Sequence, residues 1–301
     1  MIYLYFVLRY LVSSSETKEI HRFVPSAHYS VFRFSKEGIH MEDMIKNKVR
    51  QQFAANAGKY VTSTRHAKGE DLSLLVSCSQ ADRTMDVLDI ATGGGHVANA
   101  LAPLVRRVTA LDLTEEMLGA AAGFIRGNGH TNVEFVAGDA EHLPFADAVF
   151  DLVTCRIAAH HFPDVPAFVR ESFRVVKPGG KLLLIDNVAP EKDALDHFYN
   201  DIEKQRDPSH VRVWKKSEWT RLLELTGFRT EMAVRFPKPF QFQDWCERAG
   251  LPAEERDALE LKLLQAPEEI KDYFSIETNE AGKIVGFTGE SVYFQAVRAA
   301  K

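Results

Sequence analysis

The chain has 301 residues, of which 45% are hydrophobic and 26% are charged, and its formal net charge is −5 at pH 7. This composition is that of a globular protein with one large domain or two small ones around a sizeable buried core. The negative charge argues against a nucleic-acid-binding protein, because such a protein needs a basic face to replace the counterions on phosphate.

The three cysteines lie far apart in the sequence, at Cys78, Cys155 and Cys246. They form neither a CxxC motif nor a pair of metal ligands, so we expect no metal site and no disulfide framework. Unpaired cysteines are typical of a reducing compartment, and the predicted location is therefore cytoplasmic.

Residues 1–40 show no clear period. Their apolar start, MIYLYFVLRYLV, lacks the preceding basic residues of a signal peptide. It is also shorter than the roughly 18 apolar residues of a membrane span, so we expect no stable membrane insertion. We predict that this segment lies outside the core, either disordered or not native, and that residues 41–301 form the main domain.

Helices and short strands alternate along that domain. The first predicted helix has apolar residues at three- and four-residue spacings, at Met41, Met44, Ile45, Val49 and Phe53. A second helical stretch follows at residues 68–78. The predicted strands are residues 85–90, 107–113, 132–138, 149–155, 181–186, 229–236 and 291–299. Such alternation predicts an α/β fold with a doubly wound, mainly parallel sheet that helices cover on both faces.

Three of the helices between these strands have recognisable ends. Thr114 is predicted to cap one helix, Pro178 to stop a second and Gly227 to end a third. Residues 237–290 then break the alternation with short helical stretches joined by prolines. We interpret them as a helical insertion that lies over the sheet, before the last strand, as a lid.

A glycine-rich loop follows the first strand, in LDIATGGGHVANAL. Gly93, Gly95 and Ala98 form the pattern G-x-G-x-x-A, which is typical of dinucleotide-binding sites. The same letters also suit a pocket for S-adenosylmethionine. The motif alone therefore leaves both a nucleotide-dependent oxidoreductase and a methyltransferase open.

Acidic residues at three strand ends favour S-adenosylmethionine. In open α/β sheets the ligand binds beyond the carboxyl ends of the strands, where Asp89, Asp112 and Asp139 are expected to lie. Asp112 follows Gly95 by 17 residues, a spacing that suits a carboxylate bound to both ribose hydroxyls. Asp89 would repel a pyrophosphate at the helix N-terminus but would suit an ammonium or sulfonium group. Asp139 is placed to accept a hydrogen bond from the adenine amino group.

The stretches VLDIATGGGHVA, VTALDLTEEML, FVAGDAEHLPFADAVFDLVTCRIAAHHF and SFRVVKPGGKLLLID together resemble class I S-adenosylmethionine-dependent methyltransferases. They are similar to the small-molecule branch related to the ubiquinone/menaquinone C-methyltransferases, over about residues 41–236. This resemblance implies a seven-stranded, mainly parallel sheet with an antiparallel last strand. It also implies S-adenosylmethionine as cofactor, with the cofactor site formed by Asp89, Ala91, Gly93, Gly95, Asp112, Leu113, Met117, Asp139 and Ala140. Ala91 departs from the family, in which many members have glycine.

The segment CRIAAHHF follows the fourth strand and provides the candidates for a general base. Methyl transfer needs a base only where the acceptor must lose a proton, and His160 and His161 are the predicted bases. Resemblance to small-molecule N-methyltransferases favours His161 and implies Tyr60 as its partner. Packing roles for both histidines remain open.

We expect the acceptor to be a small organic molecule, bound in part by His210 and Arg212, because arginine binds carboxylates in a bidentate manner. The D/N-P-P-Y and Pro-Cys motifs of DNA methyltransferases are absent, and we expect no nucleic-acid partner. A homodimer stays open, as do a non-catalytic cofactor-binding subunit and, with lower priority, an oxidoreductase. No tyrosine has the lysine four residues on that a short-chain dehydrogenase requires.

Overall fold

The computed structural model describes residues 37–54, 58, 61 and 69–300, and the chain divides into two units, residues 1–38 and 39–301. The prediction for residues 1–40 falls almost entirely outside the described residues and stays a prediction. The first described helix begins at Glu37, four residues before the predicted domain boundary.

An eight-stranded sheet forms the centre of the second unit. Its strands are β1 Asp86–Ile90, β2 Arg107–Asp112, β3 Val133–Ala137, β4 Phe150–Arg156, β5 Val176–Asn187, β6 Phe228–Gln241, β7 Glu277–Thr278 and β8 Ile284–Arg298. The order is β3-β2-β1-β4-β5-β8-β6, and the two-residue β7 pairs with β8 outside this path. β1 to β5 pair in parallel, whereas β8 is antiparallel to both β5 and β6. The predicted doubly wound, mainly parallel sheet with an antiparallel last strand is confirmed.

Helices cover both faces of this sheet. They are α1 Glu37–Ala54, α2 Glu70–Ser79, α3 His96–Leu101, α4 Glu115–Gly127, α5 Val165–Val175, α6 Asp193–Arg206, α7 Lys216–Thr226, α8 Phe242–Ala249, α9 Ala253–Leu264 and α10 Glu268–Phe274. Short 3₁₀ turns lie at Ala102–Leu104 and Ala159–His161. No helix in the described part of the chain is long and apolar enough to cross a bilayer.

Burial of the central strands on both faces explains their apolar sequences. All five residues of β1 are buried, and successive side chains point to opposite faces. Leu88 and Ile90 therefore pack in a cluster with α5 and α7, whereas Val87 packs in a second cluster with α2, α3 and α4. A third apolar cluster lies between α6 and helices α8 to α10.

Two predicted boundaries are wrong. Helix α5 ends at Val175, and the PGG segment belongs to β5, where a Cβ on Gly180 would lie only 2.7 Å from the carbonyl oxygen of Asp151. The predicted insertion at 237–290 contains helices only from Phe242 to Phe274. Residues 237–241 instead continue β6, and prolines are tolerated there because β6 is an edge strand.

Two local features also differ from expectation. Thr114 occupies the N-cap position of α4, yet its hydroxyl makes no capping bond and donates to Asp112 instead. Helix α6 was not predicted, although its buried residues Leu195, Tyr199 and Ile202 have helical spacing.

Candidate active site

A cavity opens at the carboxyl ends of β1, β2, β3 and β4. Its lining includes eight of the nine predicted cofactor residues, namely Asp89, Ala91, Gly93, Asp112, Leu113, Met117, Asp139 and Ala140. Helix α1 contributes Lys46, Val49 and Phe53 to the same lining. His161 lies in the lining as well, so the structure brings the predicted cofactor residues and one predicted base together.

The glycine loop turns sharply between β1 and α3. Ala91, Gly93 and Gly95 all have left-handed backbone conformations, with φ of 52°, 54° and 80°. Such a conformation is strained for alanine, which explains why glycine would be favoured at position 91. Gly95 does not line the cavity. A Cβ there would lie 2.9 Å from Cδ1 of Ile125, so Gly95 is needed for α3 to pack against α4.

Asp112 is fixed at the end of β2 by its neighbours. Its Oδ2 accepts a hydrogen bond from the Gly93 amide at 2.9 Å. Its Oδ1 accepts bonds from the Thr114 amide at 3.1 Å and the Thr114 hydroxyl at 2.9 Å. Burial raises the pKa of Asp112, and this effect outweighs the hydrogen bonds, which act to lower the pKa. The carboxylate therefore has a single orientation beside the glycine loop.

Asp89 is a fully buried acid at the base of the loop. Its two oxygens accept hydrogen bonds from the hydroxyls of Thr92 and Thr154, both at 2.7 Å. Burial raises the pKa of Asp89 to about 6 despite these bonds. A cation bound nearby would favour the ionised form, whereas a second anion would be repelled.

Asp139 lies in a small charged cluster after β3. Lys46 of α1 donates to its Oδ2 at 2.7 Å and also pairs with Glu141. Burial acts to raise the pKa of Asp139, but the bonds from Lys46 and from the Glu141 amide outweigh it, and the pKa falls below its usual value. Ligand atoms of Asp139, Glu141 and His142 lie within 4.8 Å of one another, a spacing that could hold a cation. Lys46 supplies positive charge to two of them.

His161 lies on the 3₁₀ turn after β4. Its Nδ1 is 3.1 Å from the Ser209 carbonyl oxygen. Because a carbonyl oxygen only accepts, Nδ1 carries the proton and Nε2 is left as a hydrogen-bond acceptor. The Ser209 hydroxyl, 3.2 Å from Nδ1, donates to Asp207 at 2.5 Å. Burial, together with the adjacent His160, lowers the pKa of His161 to about 4, so the imidazole is neutral near pH 7.

His160 is buried behind His161 and does not line the cavity. Its Nδ1 is 2.6 Å from Asp186 Oδ1, and its amide donates to the other Asp186 oxygen at 2.9 Å. Burial acts to raise the pKa of Asp186, but His160 outweighs it and leaves the pKa below its usual value. The two imidazole rings lie 4.2 Å apart. This geometry suits a residue that positions His161 better than one that contacts the acceptor.

His210 and Arg212 are not brought to the cavity. Tyr60 lies outside the described residues. His210 is buried, with Nε2 3.2 Å from Asn200 Oδ1, and burial with His160 beside it lowers its pKa to about 3. Arg212 pairs with Glu218 at 3.0 Å and with Asp196 at 3.3 Å, so its charge is already balanced.

Four residues that the sequence reasoning missed shape this site. Lys46 and Glu141 hold Asp139, while Asp207 and Ser209 orient His161. Lys46 contacts Asp139, and Ser209 contacts His161, between segments that are distant in sequence. Glu141 is the exception, because it lies two residues after Asp139 in the stretch AGDAEHLPF.

The sequence matches one family model and several known proteins. Residues 88–184 match a family model described as a methyltransferase domain. The uncharacterised methyltransferase YcgJ of Bacillus subtilis (strain 168) is 38% identical over 246 residues, which are 82% of this chain and 97% of YcgJ. The crystal structure of YcgJ matches with a TM-score of 0.75 and 37% identity, over 78% of this chain and 100% of that one.

Two further relatives are informative. A crystallised protein (BH2331) of Bacillus halodurans C-125, proposed to be a methyltransferase, is 50% identical with a TM-score of 0.76, over 77% of this chain and 100% of that one. The ubiquinone/menaquinone C-methyltransferase UbiE of Klebsiella pneumoniae is 35% identical over 129 residues, which are 42% of this chain and 51% of UbiE. The similarity to UbiE therefore covers about half of each protein.

Proposed function

Because the chain belongs to the methyltransferase-domain family and is an S-adenosylmethionine-dependent methyltransferase, we propose that it methylates a small organic acceptor by in-line transfer. The observation that carries this proposal is one cavity lined both by the strand-end acids and by His161. A cavity of this kind holds donor and acceptor in line and excludes water, which is the main contribution a protein makes to methyl transfer.

The residues of the cavity fit the cofactor. Asp112 would accept hydrogen bonds from the ribose hydroxyls, Asp139 from the adenine amino group, and Leu113 and Met117 would pack beside the adenine. Asp89 at the glycine loop suits the ammonium and sulfonium groups of the cofactor and disfavours a pyrophosphate. When bound, the cofactor supplies an electrophilic methyl group on a sulfonium.

His161 is the proposed general base. Its Nδ1 is held by Ser209, so Nε2 is the atom that would take a proton from the acceptor. A neutral imidazole with a pKa of about 4 is a weak base. It therefore suits an acceptor whose proton becomes acidic as the methyl bond forms, and it adds no charge to the cavity that would repel the sulfonium.

The helices Phe242–Phe274 are proposed to influence acceptor choice indirectly. None of these residues lines the cavity, but Gln52 of α1 donates to the Ala249 carbonyl at 3.2 Å. Exchange of this segment with that of a relative should alter acceptor range and not cofactor affinity. A change in cofactor affinity alone would contradict the proposal.

Calorimetric titration tests the cofactor site directly. The parent protein should bind S-adenosylhomocysteine and show no measurable affinity for NAD. Binding of NAD with comparable affinity would instead favour an oxidoreductase. We further propose a cytoplasmic location, a proposal supported by the three free cysteines.

A further inference from the structure

Lys46 of α1 is a largely buried cation between two acids at the edge of the cavity. Its Nζ is 2.7 Å from Asp139 Oδ2 and also pairs with Glu141. The side chains of Lys46 and Glu141 are 11% and 2% exposed, whereas that of Asp139 is 28% exposed. Asp139 therefore keeps an accessible surface toward the cavity while Lys46 covers its other side.

We propose that Lys46 is a cofactor-positioning residue, which holds Asp139 as an oriented carboxylate for the adenine amino group and so makes α1 part of the cofactor site. The inference rests on the proposed role of Asp139. It goes beyond that role because neither the strand ends nor the glycine loop indicates any contribution from α1.

The hydrogen-bond capacity of Asp139 shows that Lys46 can assist adenine binding without competing for it. An ionised carboxylate offers about four acceptor positions. Two are in use, by Lys46 on Oδ2 and by the Glu141 amide on Oδ1 at 2.9 Å. Positions remain for an adenine amino group on the exposed part of the side chain.

The charge balance of the cluster also requires Lys46. Asp139 and Glu141 both contact its ammonium group, and His142 is exposed, with Nδ1 3.7 Å from Asp139. Without the lysine, two adjacent carboxylates would repel each other, and one would tend to take up a proton. A protonated or displaced Asp139 is a poorer acceptor for an amino group.

Helix α1 also reaches the other end of the cavity. Phe53 lies two turns after Lys46, on the same face of the helix, and its ring meets the His161 ring edge-on at 5.0 Å. A rigid helix fixed at Lys46 therefore also fixes the aromatic wall beside the proposed base. Binding of adenine and placement of Phe53 would be coupled through this one helix.

The experiment compares S-adenosylhomocysteine with its analogue that lacks the 6-amino group, by calorimetry on the full-length protein. The parent should prefer the amino compound. In Lys46→Met, binding of S-adenosylhomocysteine should weaken about tenfold or more, and the preference for the amino group should largely disappear. Lys46→Arg should keep most of the preference. Lys48→Met, at an exposed position on the same helix, is the matched control and should bind like the parent.

Retention of the parent's preference in Lys46→Met, or tighter binding of S-adenosylhomocysteine, would overturn the inference. Asp139→Ala, which removes both acceptor oxygens, separates this failure from a failure of the proposed cofactor site. If Asp139→Ala also keeps the preference, the adenine assignment of Asp139 is wrong. Melting temperatures report folding of each variant, and Lys46→Gln provides the same comparison if the methionine variant is unfolded.

Discussion

Replacement of Asp112 by asparagine should weaken cofactor binding and, separately, destabilise the glycine loop. The carboxylate accepts bonds from the Gly93 amide, the Thr114 amide and the Thr114 hydroxyl. Asparagine has only one acceptor oxygen. If that oxygen keeps the Thr114 bonds, its NH₂ group faces the Gly93 N–H, and this half-buried donor loses its partner.

The two effects have different sizes and different assays. A fully buried donor without a partner costs about 1–3 kcal/mol of folding free energy, so about 1 kcal/mol is expected for this half-buried one, which thermal or urea unfolding measures. Three protein donors leave one of the about four acceptor positions of Asp112 for the ribose, and replacement of that charge-assisted bond by a neutral one costs about 1–2 kcal/mol, or about 5- to 30-fold in the Kd for S-adenosylhomocysteine. Asp147→Asn, an exposed acid outside the cavity lining, is the control and should leave the affinity unchanged. A Kd for Asp112→Asn within about threefold of the parent's, in a folded protein, would refute the ribose assignment.

Four further outcomes are expected. His161→Ala should reduce turnover about 10²–10⁴-fold with little change in S-adenosylhomocysteine affinity. In the parent, kcat at saturating cofactor should decrease as the pH falls through about 4, because the lowered pKa of His161 keeps its imidazole in the base form down to that pH. A decrease of kcat centred near pH 6.5 would contradict this. Gly95→Ala should destabilise the fold by about 2–4 kcal/mol in urea unfolding, because the position has a positive φ and the added Cβ would meet Ile125. Gly119→Ala is the control and should be neutral or stabilising, because a Cβ there meets no atom within 4 Å. A chain that begins at Met41 should keep its melting temperature and cofactor affinity, since Lys46, Val49 and Phe53 are retained, and a large loss of stability would show that residues before Met41 pack on the domain.

The parts of the site that the sequence predicts are those set by local rules. Asp112 ends a short apolar strand and Asp89 is the penultimate residue of another, and parallel strands bring their carboxyl ends to one edge of a sheet. The position of His161 after β4 follows from the same rule. Position in sequence therefore sufficed to group these residues at one cavity.

The parts that were missed depend on contacts between distant segments. Lys46 meets Asp139 across 93 residues, and Ser209 meets His161 across 48. Neither pairing leaves a periodic or spacing signal. His210 is a histidine like His161, but it contacts Asn200 and does not line the cavity. The path of the chain after α6 determines this difference.

Transfer of a labelled methyl group from S-adenosylmethionine to fractionated small-metabolite pools tests the central claim most directly. The parent should place label on a small organic product. The Asp112→Asn variant should need a higher cofactor concentration to form this labelled product. The His161→Ala variant should form it far more slowly at any cofactor concentration. If the parent binds S-adenosylhomocysteine but transfers no label to any small molecule in these pools, the proposal of a small organic acceptor is contradicted.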